Sequence, residues 1–392
     1  MNELLDEATR RFVANHAGDD VSRLALQGAR WPGVDMRLAL DQIAGRLAAR
    51  RKLPLWAAAE GIVYPTHLAM EQCSSDATAR YKASIMPPGD TLVDLTGGLG
   101  VDCEAMAQRF AQVTYVERQE RLCQLARHNF TILGAHNIRV VHAEAEEYLH
   151  SMAPVDAIYI DPSRRDHAGR RTHDIADCAP NVAELAHVLL AKTPTVMVKL
   201  SPMLDVSHTL EALPAVSDLH IVSTDGECKE LLVLMHRSHS GPPRVHCVSD
   251  GNTFVINWGA SAPPQPAWNE IWHEALCLYE PNPSMMKAGC FDHVAAHYGL
   301  AVVSRYSHLL MGCPRDGFPG RAFRVEAVST LNKTRLRSVL AGLTQANVAV
   351  RNFPLRAAEL ARRLRMKDGG DTYLFGTTTA TGQHIVLRCR KL

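Results

Sequence analysis

The 392-residue sequence contains no stretch that approaches the roughly 20 uninterrupted apolar residues a membrane helix needs. Its N-terminus, MNELLDEATRRF, has no apolar run behind a basic start, so a secretory signal is not expected, and its acids argue against a transit peptide. The expected compartment is therefore cytoplasmic, with no membrane partner. Ten cysteines are scattered without a Cys-x-x-Cys pair, and no clustered histidines complete a zinc site. They read as reduced, mostly buried thiols, and no metal is expected.

An apolar fraction of 46% and a charged fraction of 21% are ordinary for a soluble globular chain, and 392 residues exceed one ordinary domain. More than one folding unit is expected. The net charge of +1 hides an asymmetry: residues 321–392 hold fourteen Lys or Arg against Glu326, Glu359, Asp368 and Asp371, a local charge of +10 that leaves −9 elsewhere. A basic module on an acidic body is the pattern expected when one part grips a polyanion and another does chemistry, although a solvated surface gives the same count.

Residues 1–86 place apolar residues three and four apart, as in DMRLALDQIAGRLAARRK, and predict a helical region. After the Pro87-Pro88-Gly89 boundary, short β-branched runs alternate with helical stretches, which is the α/β signature. Strands are predicted at 91–95, 113–117, 138–142 and 156–160, then in TVMVKL, LHIVS and ELLVLMH. Only a short turn separates the last two, too little for a parallel crossover, so they should form an antiparallel hairpin. Six parallel strands and a reversed seventh distinguish a Rossmann-like methyltransferase sheet from that of a dinucleotide dehydrogenase. Residues 87–240 are assigned to this core.

Residues 241–320 read as a smaller α+β unit, with the pair RVHCV and TFVINW around an S-D-G-N turn and a helical stretch from Trp268. The basic segment 321–392 fits a compact β-α-β-α-β-β module.

The chemistry is expected at the carboxyl edge of the first sheet. In LVDLTGGLGVD the first strand ends at Asp94, and the chain turns past Thr96 through Gly97, Gly98 and Gly100, glycines whose missing side chains let backbone approach a ligand, or simply make a tight strand-to-helix connection. Glu117 closes the second strand at the offset where an acid meets ribose hydroxyls, with Arg118 beside it. Glu144 and Ala145, after the third strand, suit an adenine amine and ring, or simply a helix N-terminus.

In YIDPSRRD, Asp161 and Pro162 stand at the end of the fourth strand, where transferred methyl and acceptor would meet. Asp161 is expected to accept from an amine, or else to cap the next turn. Arg164 and Arg165 are candidates to hold a substrate phosphate, or else are solvated loop arginines. The fifth strand ends in KLSP, Lys199 to Pro202, without the cysteine that pyrimidine-carbon methylation requires, and Cys228 reads as an ordinary thiol.

With DLTGGLGVD, YVERQ, HAEAEEYL and IDPSRRD in that order, the chain resembles bacterial class I S-adenosylmethionine-dependent methyltransferases that carry a C-terminal THUMP-like domain. It is more distantly similar to the trimethylguanosine synthase group of RNA methyltransferases. The resemblance extends to EQCSSDATARYKA at 71–83, YEPNPSMMKAG at 279–289 and the basic tail.

It implies a methyltransferase core, a small ferredoxin-like domain over 241–320 and a THUMP-like module that presents RNA. It also implies S-adenosyl-L-methionine as cofactor and methyl transfer to a base nitrogen of RNA without a covalent cysteine intermediate. Glu144 stands where an aspartate is common, and DPSRR replaces the Asp-Pro-Pro-aromatic run of amine methyltransferases. Gln72, Ser74, Ser75 and Lys82 are candidates to close over the cofactor, or to cap and continue a helix.

Two other classes compete with this reading. One is an RNA-binding protein with a catalytically idle core. The other is a nicotinamide-dependent oxidoreductase, opposed by the reversed strand and by Asp102 in place of a third glycine.

Overall fold

The computed structural model describes residues 4–163 and 174–392. Arg164 and Arg165 lie outside the described residues.

Helices α1 (Glu7–Asn15), α2 (Val21–Leu26), α3 (Met36–Lys52), α4 (Pro54–Ala58), α5 (His67–Gln72) and α6 (Asp76–Ile85) fill the N-terminal region. Local chemistry sets their starts. Asp6, Asp20 and Asp35 cap α1, α2 and α3 through their side chains, and Ser75 and Thr78 form a reciprocal capping box at α6.

This region shares a core with the α/β part: Trp56, Tyr64, Met70 and Ala83 pack in one cluster with Leu92, Tyr115 and Phe130. The buried Asn129 side chain accepts from Val63 N at 3.0 Å and donates to Val63 O at 2.9 Å, pinning the chain ahead of α5. Satisfying both backbone groups makes that burial tolerable.

Alternation then begins. In order come β1 (Gly89–Asp94), α7 (Val101–Ala107), β2 (Phe110–Glu117), α8 (Glu120–Ile132), β3 (Ile138–His142), α9 (Ala145–Ser151) and β4 (Ala157–Ile160). They are followed by α10 (Val182–Lys192), β5 (Thr195–Leu200), α11 (Val206–Ala212), β6 (Val216–Thr224) and β7 (Glu227–His236).

The strand order is β3-β2-β1-β4-β5-β7-β6-β8-β9, where β8 is Arg244–Ser249 and β9 is Asn252–Asn257. Pairs β1/β2, β1/β4, β2/β3 and β4/β5 are parallel. Asp225 and Gly226, at φ 53° and 74°, form the two-residue turn that reverses β7 against β6. The Rossmann-like order with a reversed seventh strand is thus present.

The sheet has nine strands rather than the seven expected. The pair read as opening a separate unit, β8 and β9, instead extends this sheet, with β8 parallel to β6 and β9 antiparallel to β8.

The chain divides into two compact units, residues 1–217 with 232–241, and residues 218–231 with 242–392. In the second unit a seven-stranded sheet has the order β11-β12-β10-β13-β16-β15-β14. Its members are β10 (Cys277–Pro281), β11 (Ala301–Val302), β12 (Leu310–Gly312), β13 (Gly320–Thr330), β14 (Asn347–Arg351), β15 (Thr372–Thr378) and β16 (His384–Lys391).

Its helices are α12 (Pro283–Ala288), α13 (Phe291–Tyr298), α14 (Lys333–Val339) and α15 (Ala357–Leu364). The order from β13 onward is the β-α-β-α-β-β expected of the tail. Because β10 pairs with β13, residues on both sides of position 320 share one sheet and one core, including Leu278, Phe323 and Phe375.

The helix expected from Trp268 is not formed. Glu270 adopts a left-handed φ of 63°, Trp268 N donates to Val302 O at 2.9 Å, and Ala267 bridges to Val302, so extended pairing replaces helical bonding there.

Candidate functional site

Strand β1 delivers Asp94 to the edge of the sheet, and the chain then folds back tightly over β2. Leu95 N donates to Tyr159 O, Gly97 N to Val116 O, and Thr96 N to the Asp94 carboxylate at 3.0 Å. The Thr96 hydroxyl in turn accepts from Asp161 N at 2.6 Å. One short turn therefore locks the ends of β1 and β4 together.

The glycines at 97 and 100 are required by packing. A Cβ on Gly97 would run into the Tyr115 ring, and one on Gly100 would lie 2.6 Å from Phe130 Cζ. Tyr115 and Phe130 stack edge to face beneath the turn, and the Tyr115 hydroxyl donates to Gly98 O at 2.5 Å. Aromatic packing fills the space that a Cβ would need at Gly97 and Gly100. Only at Gly98 is the position open, with nothing nearer to a built Cβ than Thr96 O at 3.8 Å.

Glu117 ends β2 and is buried. Its two carboxylate oxygens accept from Gly98 N at 3.0 Å and Gln119 N at 2.8 Å, which fixes the group while each oxygen keeps a lone pair. Arg118 is exposed, and its carbonyl is 2.9 Å from His142 Nε2. Glu144 is exposed at the start of α9 and makes no side-chain cap, whereas Ala145 is buried.

Asp94 is almost wholly buried, and burial, with the nearby charges of Asp102, Asp161 and Glu117, raises its carboxyl well above the ordinary range. Burial and like charge thus hold Asp94 toward its neutral form until a cation arrives to favour its ionisation. The cluster suits a ligand that brings positive charge and vicinal hydroxyl donors, as a sulfonium with an ammonium and a ribose does.

Asp102, at the third-glycine position, opens the first turn of α7. Ser74 Oγ and Tyr159 Oη donate to its Oδ2 at 2.7 and 2.8 Å, and Lys82 Nζ lies 3.3 Å from Oδ1. Lys82 is completely buried and also donates to Ser74 Oγ at 3.1 Å. Burial works against the Asp102 charge, but Lys82, Lys199, Ser74 and Tyr159 together hold its carboxyl below the ordinary range.

Of the N-terminal candidates, Ser74 and Lys82 therefore brace α7 from below the turn. Ser75 caps α6, and Gln72 is the exposed last residue of α5. No sequence signal pairs Lys82 with Asp102, since the partners come from different elements.

At the end of β4, Asp161 is half-buried and Pro162 is buried. Asp161 is not left alone to receive an amine: Lys199 Nζ, on β5, forms an ion pair with its Oδ2. The sequence presents Lys199 only as part of a strand end lacking cysteine, and its partnership with Asp161 emerges from the adjacency of β4 and β5. Ser163, where the second proline of the amine-methyltransferase run would stand, is exposed, and Arg164, at the position of its aromatic, lies outside the described residues. Cys228 has its thiol pushed up to about 11, chiefly by burial, which fits an ordinary thiol.

A second polar group was missed because its members stand on two neighbouring strands. Asp218, His220 and His246 have ligand-type atoms within 4.8 Å of one another. The two imidazoles stack at 4.1 Å with planes only 10° apart, so their in-plane lone pairs run side by side instead of converging on one ion. Asp218 is engaged at 2.8 Å by both His246 Nε2 and Arg244. This arrangement is a hydrogen-bonded cluster, and no ion is assigned to it.

Comparison with known proteins places these features in context. Residues 320–391 match the family model described as THUMP domain-like, and residues 278–319 match a ferredoxin-like domain. Residues 72–166 match protein-L-isoaspartate(D-aspartate) O-methyltransferase. A solved structure from Porphyromonas gingivalis W83, assigned as a methyltransferase, is 33% identical, with 99% of this chain and 100% of that chain covered and a TM-score of 0.87.

An rRNA methylase from Streptococcus thermophilus is 15% identical over 41% of this chain and 93% of that one, with a TM-score of 0.30. A Streptococcus mutans protein solved with S-adenosylhomocysteine, also assigned as a methyltransferase, is 12% identical over 41% and 96%, with a TM-score of 0.31. No curated protein matches the chain.

Proposed function

Because the chain belongs to the same class I S-adenosylmethionine-dependent methyltransferase family as the Porphyromonas gingivalis protein, we propose that it methylates RNA, seating the cofactor at Asp94, Thr96, Gly98 and Glu117. The single observation that carries the cofactor seat is the fixed Glu117 carboxylate, held by two backbone amides beside the open Gly98 position. In this reading its remaining lone pairs take the two ribose hydroxyls. The cofactor's positive charge would favour ionisation of the buried Asp94 carboxyl, and Ala145 would lie along the adenine with Glu144 at its amine. Gly97 and Gly100 shape the turn, and Arg118 flanks it.

The cofactor supplies an activated methyl on a sulfonium, so the protein's task is alignment of an acceptor with that methyl. Asp161 and Pro162 are the residues proposed to meet the acceptor, with Arg164 as a phosphate contact. RNA is proposed as the substrate because of the basic tail. Lys333, Arg335, Arg337, Arg356, Arg362, Arg363 and Arg365 are all exposed there, while Arg388 and Arg390 are engaged by Glu326.

The acceptor is first a base nitrogen, whose N–H Asp161 would accept. A second reading is favoured by the ion pair between Lys199 and Asp161. An ammonium beside the acceptor lowers the cost of the negative charge that develops on an oxygen, so a hydroxyl acceptor suits this pair. Mass-spectrometric comparison of nucleosides from cells with and without the gene tests both. Loss of one base-methylated nucleoside supports the first, loss of a ribose-methylated one supports the second, and unchanged nucleosides in every RNA class refute the RNA assignment.

A further inference from the structure

The second unit contains a cavity of about 210 Å³ lined by residues from three separate stretches of chain, among them Trp268, Glu270, Trp272, Arg335 and Gln383. Several of its features make little sense as packing alone.

Trp268 is 94% buried, since only 6% of it is exposed, and its indole N–H has no hydrogen-bond partner. A buried N–H in that state is normally satisfied by something. Trp272, by contrast, is 44% exposed, an unusual position for so large an apolar surface. It is also held still, because its indole N–H donates to Val325 O at 2.9 Å.

Glu270 keeps a left-handed backbone that residues with a Cβ rarely adopt, and its carboxylate accepts from the Thr381 hydroxyl at 2.6 Å. The segment that carries these three residues forms neither helix nor strand, yet pairing of Trp268 N with Val302 O and of Ala267 with Val302 fixes where it runs.

We propose that this cavity is a binding site for one unpaired nucleobase of single-stranded RNA. A rigid, exposed indole is a stacking platform that loses little freedom when a flat ring lies on it. Trp272 supplies that platform, and Trp268 forms part of the apolar wall. The Glu270 carboxylate and the Gln383 amide offer an acceptor and a donor–acceptor pair to the polar edge of a base. Arg335, exposed on α14, supplies a cation for the adjoining phosphate.

Charge decides between a base and other flat or apolar occupants. The surrounding segment 321–392 carries +10, which draws a polyanion and opposes a cationic ligand. The inference rests on the RNA reading above and adds to it a base-contacting subsite formed by residues other than those proposed for methyl transfer.

The test uses the full chain and two labelled probes of equal length, an oligouridylate and the same ribose-phosphate oligomer without bases. Binding is followed by anisotropy and by quenching of tryptophan fluorescence. The wild-type protein is expected to bind oligouridylate about tenfold or more tightly than the abasic oligomer, with quenching, because stacking is lost without bases.

Trp272→Ala is expected to erase that difference while leaving abasic binding unchanged. Gln383→Ala is expected to narrow it, and serves as a second variant should the first fold poorly. The triple variant Arg362→Ala, Arg363→Ala, Arg365→Ala is expected to weaken both probes alike. If Trp272→Ala and Gln383→Ala retain the wild-type preference while the arginine variant loses affinity, the pocket is overturned and the RNA reading stands. If wild-type protein binds neither probe at low salt, the RNA reading itself falls.

Discussion

At Gly100 the backbone φ is +88°, and the space where a Cβ would stand belongs to Phe130. Substituting alanine must therefore strain the backbone and displace an aromatic ring in one step. Gly100→Ala is expected to cost about 2–4 kcal/mol in urea unfolding, from the left-handed backbone and the overpacked ring together. Gly98→Ala, in open space at φ +54°, should cost only about 1–2 kcal/mol and act instead on cofactor affinity. Equal losses at both positions would contradict the assignment of Gly100 to packing.

This contrast marks what was legible in the sequence. The run GGLG announces a tight turn after a strand, but which glycine faces a ligand depends on Tyr115 and Phe130, which come from β2 and α8. The Lys199 partner of Asp161 was equally out of reach, because adjacency of β4 and β5 ends decides it.

Strands and helices were more readable than their partners. Periodicity located β1 to β7, and the brevity of Asp225-Gly226 revealed the hairpin, since two residues leave no other path. The placement of β8 and β9 was not visible, because a short antiparallel pair reads the same whether it stands alone or extends a sheet. The stretch from Trp268 failed for a related reason: its apolar spacing suits a helix, but pairing with Val302 competes successfully.

The β6/β8 ladder also carries a pH dependence. His220 is buried against His246, and burial foremost, with the neighbouring imidazole and Arg244, lowers it from 6.5 to about 3, against the opposing pull of Asp218. The folded state therefore keeps His220 neutral while the unfolded chain takes up a proton below about pH 6.5.

The stability this neutral form contributes is present above about pH 6.5 and is lost as pH falls toward 3, by up to ~1.4 kcal/mol per pH unit. Denaturation at pH 7 and pH 5 should show wild-type protein losing more stability than His220→Asn. An identical loss in the variant would mean that other groups carry the dependence.

For the whole molecule, a basic unit that matches a THUMP-like domain accompanies a Rossmann-like core, and among the described residues no helix is long and apolar enough to cross a membrane. The β10/β13 pairing joins the ferredoxin-like and THUMP-like matches in one sheet, so cutting the chain at 320 would expose the core around Phe323 and Phe375. Point substitutions on the intact chain are accordingly the sounder probes of the basic surface.

The charge division has the same logic at this scale. A cation near Asp94 and Glu117 would relieve the crowding of carboxyl groups there, and the +10 tail favours a polyanion. The most direct test of the central claim is isothermal titration of the full chain with S-adenosylmethionine, beside the Glu117→Ala variant. Saturable one-to-one binding, weakened about tenfold to a hundredfold when Glu117 is removed, is the predicted result. Absence of binding at millimolar ligand, or equal affinity in the variant, would contradict it.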